Sequence, residues 1–244
     1  MPYRSPINTD VSRINFLERC QMQAQNDATA NATLIDEATV TEIARVLPEF
    51  KTALAQRGKE AADQIPAVAQ KDESKSVCTM WISQFFQVLG FWVKRELHDE
   101  GVFKYYGLDA NEPTVPPLYL DDDVLFWGTQ IIQGEANRVA AGGAAMTNPD
   151  VEAFKPIYED FKQKLQAVQK EKNELNTAEE AVNKLRADVD RVVDDAISEL
   201  EFRLRKIDSP ARRRKMRTYG VNYSYRPGES SGDEPVVEEV VSGQ

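Results

Sequence analysis

The chain is poor in the residues that most active sites and metal centres use. It has one histidine, His98, and two cysteines, Cys20 and Cys78, among 244 residues. A single imidazole cannot form a histidine cluster around a metal, and the carboxylate–histidine helices of di-iron bundles are absent. Two cysteines within helical patterns are too few for a disulfide framework, so we expect both to be reduced. The sequence therefore predicts a protein that is not an enzyme and has no cofactor and no metal site.

Signals of export, membrane insertion and phosphate binding are also missing. No run reaches the twenty apolar residues of a membrane span, and the start, MPYRSPINTD, has neither the basic nor the apolar block of a secretory signal. The glycines of residues 141–148 are not followed by Gly-Lys-Ser/Thr, so this stretch predicts a turn between helices. We expect a cytoplasmic protein with no membrane partner and no small-molecule substrate.

The chain is rich in apolar residues at helical spacing. A seven-residue rhythm runs from Phe154 to Ile207, and a second one runs from Val40 to Trp92. Heptad spacing is typical of coiled-coil and bundle helices. The second rhythm keeps its phase across Pro66, which favours one continuous or kinked helix over two helices joined by a turn. The sequence therefore predicts an all-α fold, an elongated antiparallel hairpin of coiled-coil-like helices over residues 39–98 and 150–207.

Shorter helices are predicted beside this hairpin. One begins at Asp10, after an extended tail of residues 1–9, and another runs from Asp121 to about Ala141 behind an acidic cap. Gly101 is expected to end the long helix of residues 39–98, because glycine readily adopts the left-handed conformation that terminates helices. We therefore expect residues 10–208 to form one helical bundle domain.

Aromatic residues are concentrated in one stretch, since more than half of them lie between Trp81 and Trp127. Between Met80 and Leu97 the apolar residues occupy more than one seam, so this helix should be covered on two sides. Either the chain itself or a second copy must provide the cover. The residues expected to form this contact are Trp81, Phe85, Trp92 and Trp127.

The charge changes sharply near the C-terminus. Residues 209–226 contain six bases and no acid, residues 227–244 contain five acids and no base, and a total charge of −10 leaves −11 for residues 1–208. Tyrosines alternate with small polar residues after Thr218, which is the spacing of a half-buried strand. We therefore expect a basic, tyrosine-rich extended segment followed by an acidic flexible tail. The predicted interaction residues of this segment are Arg212, Arg213, Arg214, Lys215, Arg217, Tyr219, Tyr223 and Tyr225.

Two functions fit these features, and the first is favoured. In the first, the bundle is a structural subunit of a homo-oligomer or larger protein assembly, and the basic segment connects it to another copy or partner. In the second, the basic cluster from Arg212 to Arg217 binds nucleic-acid phosphates and its tyrosines stack on bases, although the acidic remainder of the chain repels polyanions. A third interpretation of the segment, local packing against its own bundle, stays open.

Overall fold

The computed structural model describes residues 2–30, 32–109 and 114–227. It confirms the predicted all-α helical bundle. The predicted acidic tail, residues 227–244, lies outside the described residues apart from Pro227. In chain order the elements are β1 (Tyr3–Arg4), α1 (Asp10–Thr29), α2 (Glu37–Lys94), a 3₁₀ helix (Glu100–Tyr106), α3 (Asp121–Ala140), α4 (Val151–Arg203), α5 (Ser209–Thr218) and β2 (Tyr223–Ser224).

These elements form two compact units, each with its own core. The terminal unit comprises residues 1–58 and 177–244, and the central unit comprises residues 59–176. Both long helices, α2 and α4, contribute residues to each unit. The heptad rhythm of the sequence thus supplies the apolar side of two separate cores.

In the terminal unit the first part of α2 lies antiparallel to the last part of α4. Thr39 Oγ1 donates to Glu199 Oε1 at 2.6 Å, and Arg191 Nη2 lies 3.7 Å from Glu42 Oε2. Apolar residues of α1, α5 and the segment after α5 complete the core. Its fully buried large residues include Phe16, Leu17, Ile43, Phe50 and Tyr219.

In the central unit the second part of α2 lies antiparallel to the first part of α4. Ser74 Oγ donates to Asp160 Oδ2 at 2.6 Å, and the rings of Trp81 and Phe154 stack with centroids 6.4 Å apart. The predicted antiparallel pairing of the long helices is therefore found within each unit. The 3₁₀ helix and α3 complete this core, whose buried residues include Ile82, Phe85, Phe103, Tyr106, Ile131 and Phe161.

The path of α2 confirms one prediction and corrects another. The helix is continuous through Pro66, as the unbroken rhythm favoured. It ends at Lys94, before the predicted position 98, and Gly101 does not end it, because Gly101 lies in the following 3₁₀ helix. The residue that terminates α2 is Glu96, which has a left-handed φ of 58°. Leu97 N donates to Trp92 O at 3.0 Å, completing the hydrogen-bond pattern of a Schellman motif.

The predicted extended segment of residues 209–226 is partly wrong, because its first half is the helix α5. Asp208 caps this helix by accepting a hydrogen bond from Ala211 N at 3.0 Å, and Pro210 occupies its first turn. Proline and an acidic cap at these positions are favourable helix starts. The strand prediction holds for Tyr223–Ser224, the residues that form β2.

Candidate interaction surfaces

The predicted aromatic residues pack inside the central unit. Phe85 is buried, and its ring meets the Tyr106 ring edge to face with centroids 5.1 Å apart. Trp127 of α3 meets Phe86 of α2 in the same way at 5.6 Å. Trp81 and Trp92 are half-buried. Residues of the same chain therefore cover two sides of α2, which is one of the two alternatives that the sequence left open.

A third side of α2 is exposed and carries no charge. The eighteen residues from Ser76 to Val93 include no acid and no base. Val77, Met80 and Phe91 expose 40, 49 and 52% of their surface. At 3.6 residues per turn these three positions share a sector of about 60°. We call this surface the uncharged face of α2, and its exposed residues are Val77, Met80, Gln84, Gln87 and Phe91.

The sequence predictions did not name this face, although its signal was present. They selected the largest aromatic residues, and those residues make internal contacts. The length of the uncharged stretch, in a chain in which 29% of residues are charged, is the feature that marks the exposed side. Helical phase then separates Met80 and Phe91 from the neighbours that face the core.

The same stretch makes α2 long and apolar enough, by length and composition alone, to cross a membrane. Its most apolar window of 18 residues has a mean hydropathy of 1.2, and 28% of that window is buried in the fold. A single such helix is weak evidence for a membrane span, since core helices of soluble proteins pass the same test. In the central unit this part of α2 contributes Ile82, Phe85 and Leu89 to a protein core.

A buried ion pair within α3 of the central unit is hydrogen-bonded to Tyr106 of the 3₁₀ helix. Glu135 Oε1 accepts from Arg138 Nη2 at 2.8 Å and from Met146 N at 2.6 Å, while Oε2 accepts from the Tyr106 hydroxyl at 2.5 Å. The two charged residues are only 5 and 3% exposed. Burial raises the pKa of Glu135, but hydrogen bonds from Arg138, Tyr106 and Met146 outweigh it and hold this pKa below its usual value. These contacts make the pair structural.

A cavity of about 280 Å³ lies beside this pair. His98 is at its edge, with its ring stacked on Trp92 at a centroid distance of 4.8 Å. The His98 imidazole shares the lining of this cavity with Lys104 and Asp99, and no second histidine is present in the sequence. Its lining consists of His98, Asp99, Gly101, Val102, Lys104, Tyr105, Arg138, Ala141 and Gly143.

Three carboxylates in the central unit lie close enough to share a cation. Oxygens of Glu60, Glu171 and Glu174 are all within 4.8 Å of one another. Carboxylate oxygens suit hard cations such as calcium. However, Lys59 Nζ lies 3.7 Å from Glu60 Oε1 and supplies positive charge to the same group. Acidic clusters of this kind are common without an ion, so we assign no metal to it.

The basic residues of the C-terminal segment make contacts within the terminal unit. Lys215 Nζ lies 3.3 Å from Asp27 Oδ1. The Arg217 guanidinium lies 5.8 Å from the ring centroids of both Tyr223 and Tyr225, and it also donates to the Tyr225 hydroxyl. Arg212 and Arg213 are half-buried and Arg214 is exposed. Lys215 and Arg217 therefore already serve the fold of their own unit.

Tyr219 ties the segment to α1. Its side chain is fully buried, and its hydroxyl donates to Asp27. Burial raises the pKa of Asp27, but hydrogen bonds from Tyr219 and Gln23, together with Lys215, bring this pKa below its usual value. Burial, followed by the hydrogen bond to Asp27, raises the pKa of Tyr219. The tyrosine thus acts as an internal donor.

The strand of the segment finds its partner at the other end of the chain. β2 pairs antiparallel with β1, so that Tyr3 lies opposite Ser224 and Arg4 lies opposite Tyr223. Ser5 N also donates to Asn222 O at 2.9 Å. This is the local packing that the sequence left open. Connection to another protein through these residues remains a prediction.

The fold and these surfaces define a class of protein, an all-α helical bundle with two cores. Comparison of the chain with protein-family models, with curated proteins and with solved structures finds no match. The function must therefore be argued from the surfaces themselves.

Proposed function

We propose that this chain is a non-enzymatic structural protein that acts as a subunit of a homo-oligomer, and that its copies meet at the uncharged face of α2. The observation that supports this proposal is the long uncharged helical stretch with exposed Met80 and Phe91, in a chain of formal charge −10. Two acidic copies repel each other least where neither carries a charge. Depletion of charge with exposed aromatic residues and methionine is also typical of the centre of protein interfaces.

The energy available at this face suggests a reversible association. Complete burial of a large apolar side chain contributes about 1.5–3 kcal/mol, and Val77, Met80 and Phe91 are already partly buried. Each would therefore add about 1 kcal/mol in each copy, or about 6 kcal/mol for the three residues of two copies, against an association cost of about 4 kcal/mol or more. We expect the oligomer to form and dissociate with protein concentration.

This proposal moves the contact away from the predicted connector. Tyr219 and Met216 belong to the core of the terminal unit, and Lys215 and Arg217 have partners there. Residues engaged in this way can join two copies only after they give up internal contacts. The face of α2 has no such cost, because its apolar side chains already point into solvent.

Charge placed on the uncharged face tests the proposal. Met80→Glu and Phe91→Glu should each reduce the oligomer to a monomer, because a buried carboxylate without a partner opposes association. Mass is measured by light scattering after size exclusion, and circular dichroism confirms that the variants remain helical. Phe202→Glu is the matched control, since Phe202 is exposed on the terminal unit. A mass that Met80→Glu and Phe91→Glu leave unchanged would refute the contact.

One observation supports the nucleic-acid alternative. Residues 203–217 carry eight bases and one acid, and the exposed Phe202 ring lies 3.9 Å from the Arg205 guanidinium carbon. Under this alternative, replacing Arg212, Arg213 and Arg214 by Gln should abolish salt-sensitive binding to RNA or DNA and leave the mass unchanged. Lys215 is kept in this variant because it pairs with buried Asp27.

A further inference from the structure

The charges at the two ends of the uncharged face have opposite signs. Glu73 lies one turn before Val77, and Arg95 lies one turn after Phe91. Arg95 N donates to Phe91 O at 3.0 Å, so Arg95 continues the helical path just beyond α2. Both side chains are exposed, and neither forms an ion pair with another described residue. The sector that holds Met80 and Phe91 is therefore acidic at one end and basic at the other. At 1.5 Å per residue, Glu73 and Arg95 are roughly 33 Å apart along the helix axis.

We infer that two copies of this chain pair through antiparallel α2 helices about a two-fold axis beside Gln84. The inference rests on the proposed function and specifies its geometry. Gln84 is midway between Glu73 and Arg95, and it is also midway between Val77 and Phe91. An antiparallel pair centred there sets Val77 against Phe91 of the partner subunit, and it sets Glu73 against Arg95 of the partner subunit. Each contact occurs twice, as a two-fold interface requires.

The charges at the two ends of the face favour antiparallel over parallel pairing. Parallel α2 helices in register would place Glu73 beside Glu73 of the partner subunit, and like charges would also meet at Arg95. A shift of one turn would remove Val77 from Phe91 and separate the opposite charges. Apolar contacts supply the attraction, and the terminal charges select its direction and register.

The composition of the face favours a second copy over a lipid surface. Gln84 and Gln87 lie in its middle, and both are exposed. Amide side chains can hydrogen-bond to each other across a two-fold axis, whereas burial in acyl chains would leave them without partners. Helices that lie on membranes usually flank their apolar side with Lys and Arg. Here Glu73 lies at one end of the face, and the neighbouring Lys75 is already paired with Asp121 at 2.7 Å.

A charge exchange tests the register. Glu73→Lys and Arg95→Glu, made singly, replace two attractive contacts by two repulsive ones and should weaken dimerisation by roughly tenfold, the scale of exposed ion pairs. The double variant Glu73→Lys/Arg95→Glu should recover the affinity of the unmodified chain, because the opposite charges meet again with their signs exchanged. Dissociation constants are measured by sedimentation over a concentration series. A double variant as weak as the single ones would overturn the inferred register.

A disulfide tests the axis itself. Gln84→Cys should crosslink to itself under mild oxidation, whereas Ala136→Cys, at an exposed position of α3, should not. The native thiols provide a silent background, because Cys20 and Cys78 are both buried and burial raises the pKa of Cys78 to about 12.

The outcomes separate the two proposals. An oligomer sensitive to Met80→Glu that shows neither charge rescue nor the Gln84→Cys crosslink would retain the proposed function and overturn the antiparallel axis. A monomer at every concentration would overturn both. A monomer that sediments with anionic phospholipid vesicles, and loses this binding in Phe91→Glu, would overturn both in favour of a membrane surface.

Discussion

Glu135 and Arg138 are charged residues that the fold holds out of water. Their spacing, three residues apart in α3, is visible in the sequence and is typical of an exposed helical pair. What buries them is the approach of Tyr106 and of Met146, which lies in the loop between α3 and α4. A carboxylate with four donors around it is stable there only while its partners remain.

Removal of this charge should therefore be costly. Glu135→Gln leaves the Arg138 guanidinium buried beside a neutral group and should lower the free energy of unfolding by on the order of 3 kcal/mol. Urea unfolding followed by circular dichroism measures the change. Glu159→Gln is the control, since Glu159 forms an exposed pair with Lys162 and should change stability by less than about 0.5 kcal/mol. Equal effects of the two substitutions would contradict the structural role of Glu135.

The same pair predicts a dependence on pH. Because the pKa of Glu135 in the folded protein lies below its unfolded value, its stabilisation is present above the unfolded pKa of about 4.3 and is lost as the pH falls through the folded pKa. The difference between the unmodified chain and Glu135→Gln should thus be largest near pH 7 and shrink in acid. A stability difference between the two chains that grows in acid would contradict a lowered pKa of Glu135.

Gly134, the residue before Glu135, has a packing role that sequence patterns do not show. A Cβ added to Gly134 would lie 2.5 Å from Tyr105 O, so only glycine lets the 3₁₀ helix approach α3 so closely. In the sequence Gly134 is a mid-helix glycine, which weakens a helix prediction. Glycine is needed there because the 3₁₀ helix, about thirty residues earlier in the chain, packs against it, and no local sequence pattern shows this contact.

Among the elements, the C-terminal end of α2 carries a testable strain. Glu96 adopts a left-handed φ that costs a residue with a Cβ about 1 kcal/mol relative to glycine. Glu96→Gly should therefore raise the free energy of unfolding by roughly 0.5–1 kcal/mol, measured by urea unfolding. Gly134→Ala is the opposite case and should destabilise. A loss of stability in Glu96→Gly would contradict the assigned helix cap.

The C-terminal elements should be required for the terminal unit. A chain ending at Asp208 loses Met216, Tyr219 and Val221, which are buried, and should lose on the order of 5 kcal/mol of stability at 1.5–3 kcal/mol per side chain. A chain ending at Pro227 keeps these residues and should retain their contribution to stability. Thermal unfolding compares the two. Equal midpoints would mean that the segment after α4 contributes nothing to the core.

Element prediction succeeded where the signal was long and periodic. The heptads of α2 and α4 indicated both long helices and the continuity through Pro66. The C-terminal end of α2 was misplaced because Glu96, which is not a glycine, adopts the terminating conformation. The end of α4 was also misplaced, since this helix ends at Arg203 and not at the predicted position 207. α5 was missed because the tyrosine alternation after Thr218 drew the whole segment into an extended prediction, although Asp208 and Pro210 are good helix-start residues.

For the whole molecule, heptad spacing indicated the fold class and left the surface open. The scarcity of histidine and cysteine says only what the chain lacks, and its function remains a proposal. Trp81, Phe85, Trp92 and Trp127, which were predicted as contacts, pack within the central unit, because residues of α3, α4 and the 3₁₀ helix cover that part of α2. The uncharged stretch is visible in the sequence, and the structure shows residue by residue which side of it is exposed.

The central claim is that copies of this chain associate through the uncharged face of α2. Sedimentation equilibrium of the unmodified full chain, over a wide range of concentration, tests it most directly. The proposed association predicts a mass that rises with concentration from 27.5 kDa to twice that value, and a Met80→Glu chain that stays at the lower value throughout. A mass of 27.5 kDa for the unmodified chain at every concentration would contradict the claim.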